Sequence, residues 1–217
     1  MELFMPLKKM TREVHEEAEN TKWSKLLVSG KMTDEQYGQY LYNMQHIYET
    51  IENTLGAHDF WSKHPILIDI QRILPITQDR GQYKYEAGLE ESTVKYGDYI
   101  RSLDVDQLLA HLYVRHFGDM YGGQIIAKHV PKPTHYETYA EKAANDSAAD
   151  SDGRESYWLS PAFTDPRSWT NCYHFENKTQ MKEYLRNLLD ITMADEAIFA
   201  FKNSINIFKD LEKRFDL

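Results

Sequence analysis

A single cysteine, Cys172, is all the thiol this chain carries. No disulfide can form within it, and a reducing compartment suits it. Long apolar runs are missing as well. None approaches the roughly 20 residues of a membrane span, and the amino-terminal MELFMPLKKM lacks the apolar core of a secretory signal. The expectation is a soluble, cytoplasmic protein with no membrane partner. Positive charge is in deficit: 25 Lys and Arg against 34 Asp and Glu leave a formal charge of −9. That is the opposite of a nucleic-acid binder's basic footprint, so no nucleic-acid partner is expected. Neither GxGxxG nor GxxxxGK[ST] occurs, which removes the usual dinucleotide and nucleotide cradles. The histidines form no HExxH and no paired spacing with cysteines. Strand signals are weak, with no sustained alternation and few β-branched runs. No linker, repeat or low-complexity tract divides the 217 residues, so residues 1–217 read as a single domain long enough for a full core.

What is present is helical spacing, and the fold class it predicts is all-α, a multi-helix bundle. Helices are expected over residues 7–20, 22–29 and 33–55, the third opened by Thr33 with Gln36 as its capping-box partner. Pro65 and Pro75 should bracket a short helix, and residues 87–102 should form another. A helical pattern over 105–130 stops before Pro131, residues 134–149 read as a surface helix, and 151–175 as loop. Two helices, 178–189 and 194–215, close the chain.

The segment YVRHFGDMYGGQ, residues 113–124, stands out inside the 105–130 pattern. Gly118, Gly122 and Gly123 interrupt it, and each glycine in a helix interior costs about 1 kcal/mol relative to alanine. Gly118 and Gly122 are four apart and share a face, with Asp119 at its edge. A bare backbone strip beside one carboxylate suits a flat ligand, and on spacing alone close packing of two helices suits it equally well.

Lys8, Arg12, His15 and Glu19 fall on one stripe of the first helix. An imidazole binds a metal well when an acceptor holds its other ring nitrogen, and Glu19, one turn on, is placed for that. Taken alone, a solvated charged face is the commoner meaning of such a stripe. Lys182 and Arg186, four apart, form a basic pair able to meet ligand carboxylates, although most such pairs are only solvated. Tyr48 and Phe201 lie on apolar helix faces, where core packing is the default. The other histidines read as structural or surface residues. Cys172 is a weak candidate thiolate ligand, with no evident neighbour to lower its pKa.

Taken together, REVHEEAEN (12–20) and YVRHFGDMYGGQ (113–124), in this order and at this separation, resemble the heme oxygenase family over about residues 7–208. The second segment carries that family's pattern G-D-x-x-G-G. The anchorless form is similar to bacterial, cyanobacterial and phage-borne members. The resemblance implies a helical bundle holding heme b, both substrate and cofactor, between a proximal helix and a kinked distal helix. It implies His15 as iron ligand with Glu19 as acceptor behind it. Gly118 and Gly122 would let the distal backbone approach the heme plane, Asp119 would anchor a water near the iron, and Tyr48 and Arg115 would support the distal hydrogen-bond network. Lys8, Tyr113, Lys182 and Arg186 match positions that meet the propionates, and Phe201 matches a heme-contacting aromatic. The implied reaction converts heme and O2 to biliverdin, the α isomer, with CO and ferrous iron. Its electrons come from ferredoxin or another external reductant, and a bilin reductase could take the product. Met120 and Tyr121 replace the usual small or aliphatic pair, and Asn203 and Ser204 do not clearly match a distal asparagine of some members.

Three other readings remain open at this level: a heme carrier or sensor without turnover, another enzyme on the same architecture such as a thiamin-degrading type, and a purely structural bundle.

Overall fold

The computed structural model describes residues 4–134 and 169–217. Twelve α-helices are described, joined by short 3-10 and π turns, and no strand occurs among the described residues. They are α1 Phe4–Met10, α2 Arg12–Glu19, α3 Lys22–Leu27, α4 Asp34–Ala57, α5 Phe60–Lys63, α6 Ile73–Arg80, α7 Glu91–Ile100, α8 Val105–Leu112, α9 Gly118–Tyr121, α10 Gly123–Ile126, α11 Lys178–Leu188 and α12 Ala194–Arg214.

Two long helices organise the bundle. α4 opens with a reciprocal box: Thr33 Oγ1 accepts from Gln36 N at 3.2 Å and Gln36 Oε1 accepts from Thr33 N at 2.9 Å. It buries Tyr37, Leu41, Met44, Ile47, Tyr48, Ile51 and Leu55, a set that spans most of its circumference, and packs against α6 and α7. A helix buried on so many sides is the central post of its bundle. α12 packs across α2, α3, α7 and α8. Its buried face carries Ala194, Ala197, Ala200 and Ser204, small residues that let those neighbours come close.

Several boundaries differ from the sequence expectation. The helix expected over 7–20 is two helices with a bend at Thr11, whose hydroxyl donates to Leu7 O at 3.0 Å and bends the turn it caps. Pro75 lies inside α6 instead of ending a helix before it; as the third residue of that helix it has no amide to lose from the ladder. The helix expected from residue 87 begins at Glu91, because Gly88 adopts φ 146°, closed to a helix, and Glu90 N donates to Asn43 Oδ1 at 2.9 Å. The expected loop carries a 3-10 turn at Asn171–Tyr173. The surface helix expected over 134–149 and the loop's earlier part fall outside the described residues, apart from Thr134.

Candidate functional site

The 105–130 pattern is not one helix. α8, capped by an Asp104–Gln107 box, runs into a π turn over Tyr113–Phe117, then into α9 and α10. A π turn widens the helix by one residue and bends it, and such turns recur at functional sites. The three glycines then take different roles. A Cβ on Gly118 would meet nothing within 4 Å. One on Gly122 would meet only Gly118 O, at 3.0 Å. Both residues are exposed, and Gly122 N donates to Gly118 O at 2.7 Å, so they stack one turn apart as a bare, outward strip. Gly123 is buried, and a Cβ there would collide with the Tyr173 ring. Gly123 therefore serves close packing, while Gly118 and Gly122 face open space.

Behind the strip lies a buried polar cluster around Arg115. Its Nη2 donates to Met44 Sδ at 3.0 Å and to Tyr48 Oη at 3.4 Å, and its Nη1 donates to Ser204 Oγ at 3.4 Å. Asp119 Oδ2 stands 4.0 Å from Nη2. Burial pushes the Asp119 carboxyl pKa up to about 8, so the group is largely protonated at neutral pH and can donate as well as accept. Beside the cluster, His116 Nε2 pairs with Glu52 Oε1 at 2.9 Å, both fully buried, and burial lowers the His116 pKa.

On α2, His15 is half exposed and its Nδ1 lies 3.6 Å from Glu19 Oε1. The imidazole meets the Phe201 ring edge-on, with centroids 5.4 Å apart. α12 thus joins the two sides, since Phe201 touches His15 and Ser204, three residues on, touches Arg115. Tyr113, on the π turn, is half-buried, with its ring centroid 6.3 Å from that of Phe117. Lys8 is exposed near the end of α1. Lys182 and Arg186 are half-buried on α11, and Lys182 Nζ lies 5.0 Å from the centroid of the Tyr121 ring on α9.

The arrangement fits a flat, iron-bearing ligand. It offers an exposed backbone strip that no side chain fills, a carboxyl of raised pKa one residue from it, and a half-exposed imidazole whose Nδ1 lies 3.6 Å from a carboxylate. Cys172 does not fit a thiolate ligand: it is buried in the 3-10 turn, and burial beside Asp79 pushes its pKa well up.

A family model described as heme oxygenase matches residues 1–201. The chain belongs to the heme oxygenase family. It is 26% identical to a heme oxygenase of Takifugu rubripes, over 97% of this chain and 74% of that protein. It is 25% identical to heme oxygenase 1 of Synechocystis sp. PCC 6803, over 95% of this chain and 83% of the relative. The fold is that of Synechocystis heme oxygenase-2, solved with heme and NO, with TM-score 0.71, 22% identity, and coverage of 100% of this chain and 87% of the other.

Within this heme oxygenase family member, sequence reasoning missed Met44, whose sulfur faces Arg115, and gave Ser204 no partner. It also missed two buried charges that brace α10. Asp79 accepts from Asn171 N at 2.9 Å and Cys172 N at 2.7 Å. Arg72 donates to His174 O at 2.6 Å and stacks on Phe175 at 3.8 Å. The turn they hold seats Tyr173 on Gly123, and Tyr173 O accepts from Gln124 Nε2. Neither carries a local signal, since Arg72 follows Asp69 by three residues and Asp79 adjoins Arg80, as in many solvated charge pairs.

Proposed function

We propose that this protein cleaves heme oxidatively, with heme b as substrate and cofactor, to the α isomer of biliverdin, CO and ferrous iron. The observation that carries this reading is the open Gly118–Gly122 strip with the high-pKa Asp119 carboxyl at its edge. A carrier or sensor needs a pocket and an axial ligand but no protonated carboxyl beside the open face, and a structural bundle needs no bare strip.

When bound, heme supplies the oxygen-activating iron and the ring that is opened. His15 would hold the iron through its imidazole, with Glu19 steadying Nδ1 and Phe201 fixing the tilt of the imidazole ring. Gly118 and Gly122 admit the flat ring against backbone. Asp119 holds a water and passes it a proton, the general-acid role its raised pKa suits. Arg115, fixed by Tyr48 and Ser204, supports the hydrogen-bond network behind the strip and stays back from Asp119, which keeps its proton. Lys8, Tyr113, Lys182 and Arg186 orient the ring through its propionates, Arg186 by paired, charge-assisted bonds. That orientation selects the ring edge and hence the isomer.

Electrons come from outside, with ferredoxin as the proposed donor. An acidic donor would be opposed by the net charge of −9 unless a local basic face receives it. Lys22 and Lys25 on α3, and Lys178, Lys182 and Arg186 on α11, are the candidates. A bilin reductase is the proposed recipient of the product, and the cytoplasm the proposed setting.

Aerobic incubation with heme and reduced ferredoxin, followed by HPLC, tests the reading. The expected result is loss of the Soret band with a single bilin. A persistent Soret band would indicate a carrier.

A further inference from the structure

Tyr121 is 46% exposed, yet its ring is not loose. Phe117, buried one turn before it, meets it edge-on with centroids 5.7 Å apart. Lys182 Nζ lies 5.0 Å from the centre of that ring, so the contact joins α9 to α11. Tyr121 directly precedes Gly122, at the rim of the open strip.

A lysine ammonium is strongly hydrated and rides on a flexible four-carbon stem, so it is a poorly aimed anion binder when nothing steadies it. A carboxylate partner would steady it and neutralise it together. An aromatic face attracts the cation and leaves its N–H donors free for another acceptor. Tyr121 thus supplies restraint without neutralisation, at the place where a ligand on the Gly118–Gly122 strip would end.

We propose that Tyr121 is a positioning residue for Lys182, holding its ammonium at the rim of the crevice to receive a ligand carboxylate. The assignment rests on the heme reading above, in which that carboxylate is a propionate.

Heme and its dimethyl ester, whose propionates carry no charge, separate this role from simple packing. Each is titrated into wild type, Tyr121→Leu, Tyr121→Phe, Lys182→Met and the Tyr121→Leu/Lys182→Met double variant. Tyr121→Leu should weaken heme binding about two- to fivefold, the range of an exposed cation–π contact, and leave ester binding unchanged. Tyr121→Phe should bind like wild type, and in the Lys182→Met background the leucine should have no effect. Equal weakening of heme and ester by Tyr121→Leu, or no change in either, overturns the assignment. Absence of saturable heme binding by wild type overturns the heme reading and this proposal with it, and is seen before any substitution is made. A ligand-free check is the NMR shift of the Lys182 ε-methylene protons. The ring should displace it upfield in wild type and Tyr121→Phe but not in Tyr121→Leu, and identical shifts in all three overturn the assignment.

Discussion

Arg115 Nη2 stands 4.0 Å from Asp119 Oδ2, one helical turn away, and the Asp119 carboxyl nevertheless has its pKa pushed up to about 8. A guanidinium at hydrogen-bond distance would favour the carboxylate. This one is at the outer edge of ion pairing, because its Nη atoms are turned to Met44, Tyr48 and Ser204. Burial therefore prevails. The same three contacts that fix Arg115 leave Asp119 its proton, and so a group able to donate to water beside the open strip.

That shift has a stability signature in the ligand-free protein. The raised pKa means the folded state holds a proton that the unfolded state releases near pH 4. Its contribution is complete below that point and is lost as pH rises towards about 8. Compared with Asp119→Asn, wild type should lose at most about 1.4 kcal/mol per pH unit between pH 5 and 8, with the difference level above 8. Urea denaturation of both proteins across this range measures it. Parallel curves would contradict the shift. In turnover, wild-type activity should fall as pH passes 8, and Asp119→Asn should lack that limb.

His15 offers a contrast between folding and ligand binding. It is half exposed, and its described partners are Glu19 at 3.6 Å and the edge of Phe201. His15→Ala should therefore change ligand-free stability by less than about 1 kcal/mol. If His15 binds iron, the same substitution should change the absorption spectrum of the heme complex, and added imidazole should restore it. Glu19→Gln, which keeps the shape and removes the charge, should weaken heme affinity by up to about tenfold. An unchanged His15→Ala spectrum would move the axial ligand elsewhere.

The sequence made the long helices legible because their signals are local. The Thr33 and Gln36 pair opens α4, and the apolar spacing of α12 repeats for five turns. The strip at Gly118 and Gly122 was legible as a cost that needed a reason, though Gly123 was grouped with it and proves to serve packing against Tyr173. The π turn was not legible. It goes with Arg115 reaching α4 and α12, contacts made only after the bundle closes. Histidine–glutamate contacts inside the bundle were hidden for the same reason: Glu52 and His116, or His111 and Glu196 at 2.8 Å, are far apart in the chain. The start of α7 turned on Gly88, whose positive φ no periodicity reveals.

Asp79 gives a prediction about support at a distance. It satisfies two buried amides, Asn171 N and Cys172 N, in the turn that seats Tyr173. Asp79→Ala leaves both without an acceptor, at about 1–3 kcal/mol each, so a loss of about 2–6 kcal/mol is expected by urea denaturation. Asp79→Asn keeps one acceptor and should cost less. Because the turn carries Tyr173 against Gly123 and accepts from Gln124, amide exchange over residues 123–127 should quicken in Asp79→Ala. Quickening confined to 171–175 would mean the brace does not reach α10.

Gly118 and Gly123 should respond to alanine with opposite signs. At Gly118 the new methyl meets nothing within 4 Å, and the helix gains up to about 1 kcal/mol in propensity. Ligand-free Gly118→Ala should thus be as stable as wild type or more so. At Gly123 the methyl runs into the Tyr173 ring, which the Asp79 and Arg72 contacts prevent from retreating, so Gly123→Ala should lose about 1–3 kcal/mol as an overpacked site. Heme affinity discriminates further. Gly118→Ala places its methyl where the flat ligand would lie, and should weaken heme binding in a protein that folds better. Unchanged heme binding by a stable Gly118→Ala would show that the open strip is not the ligand's face.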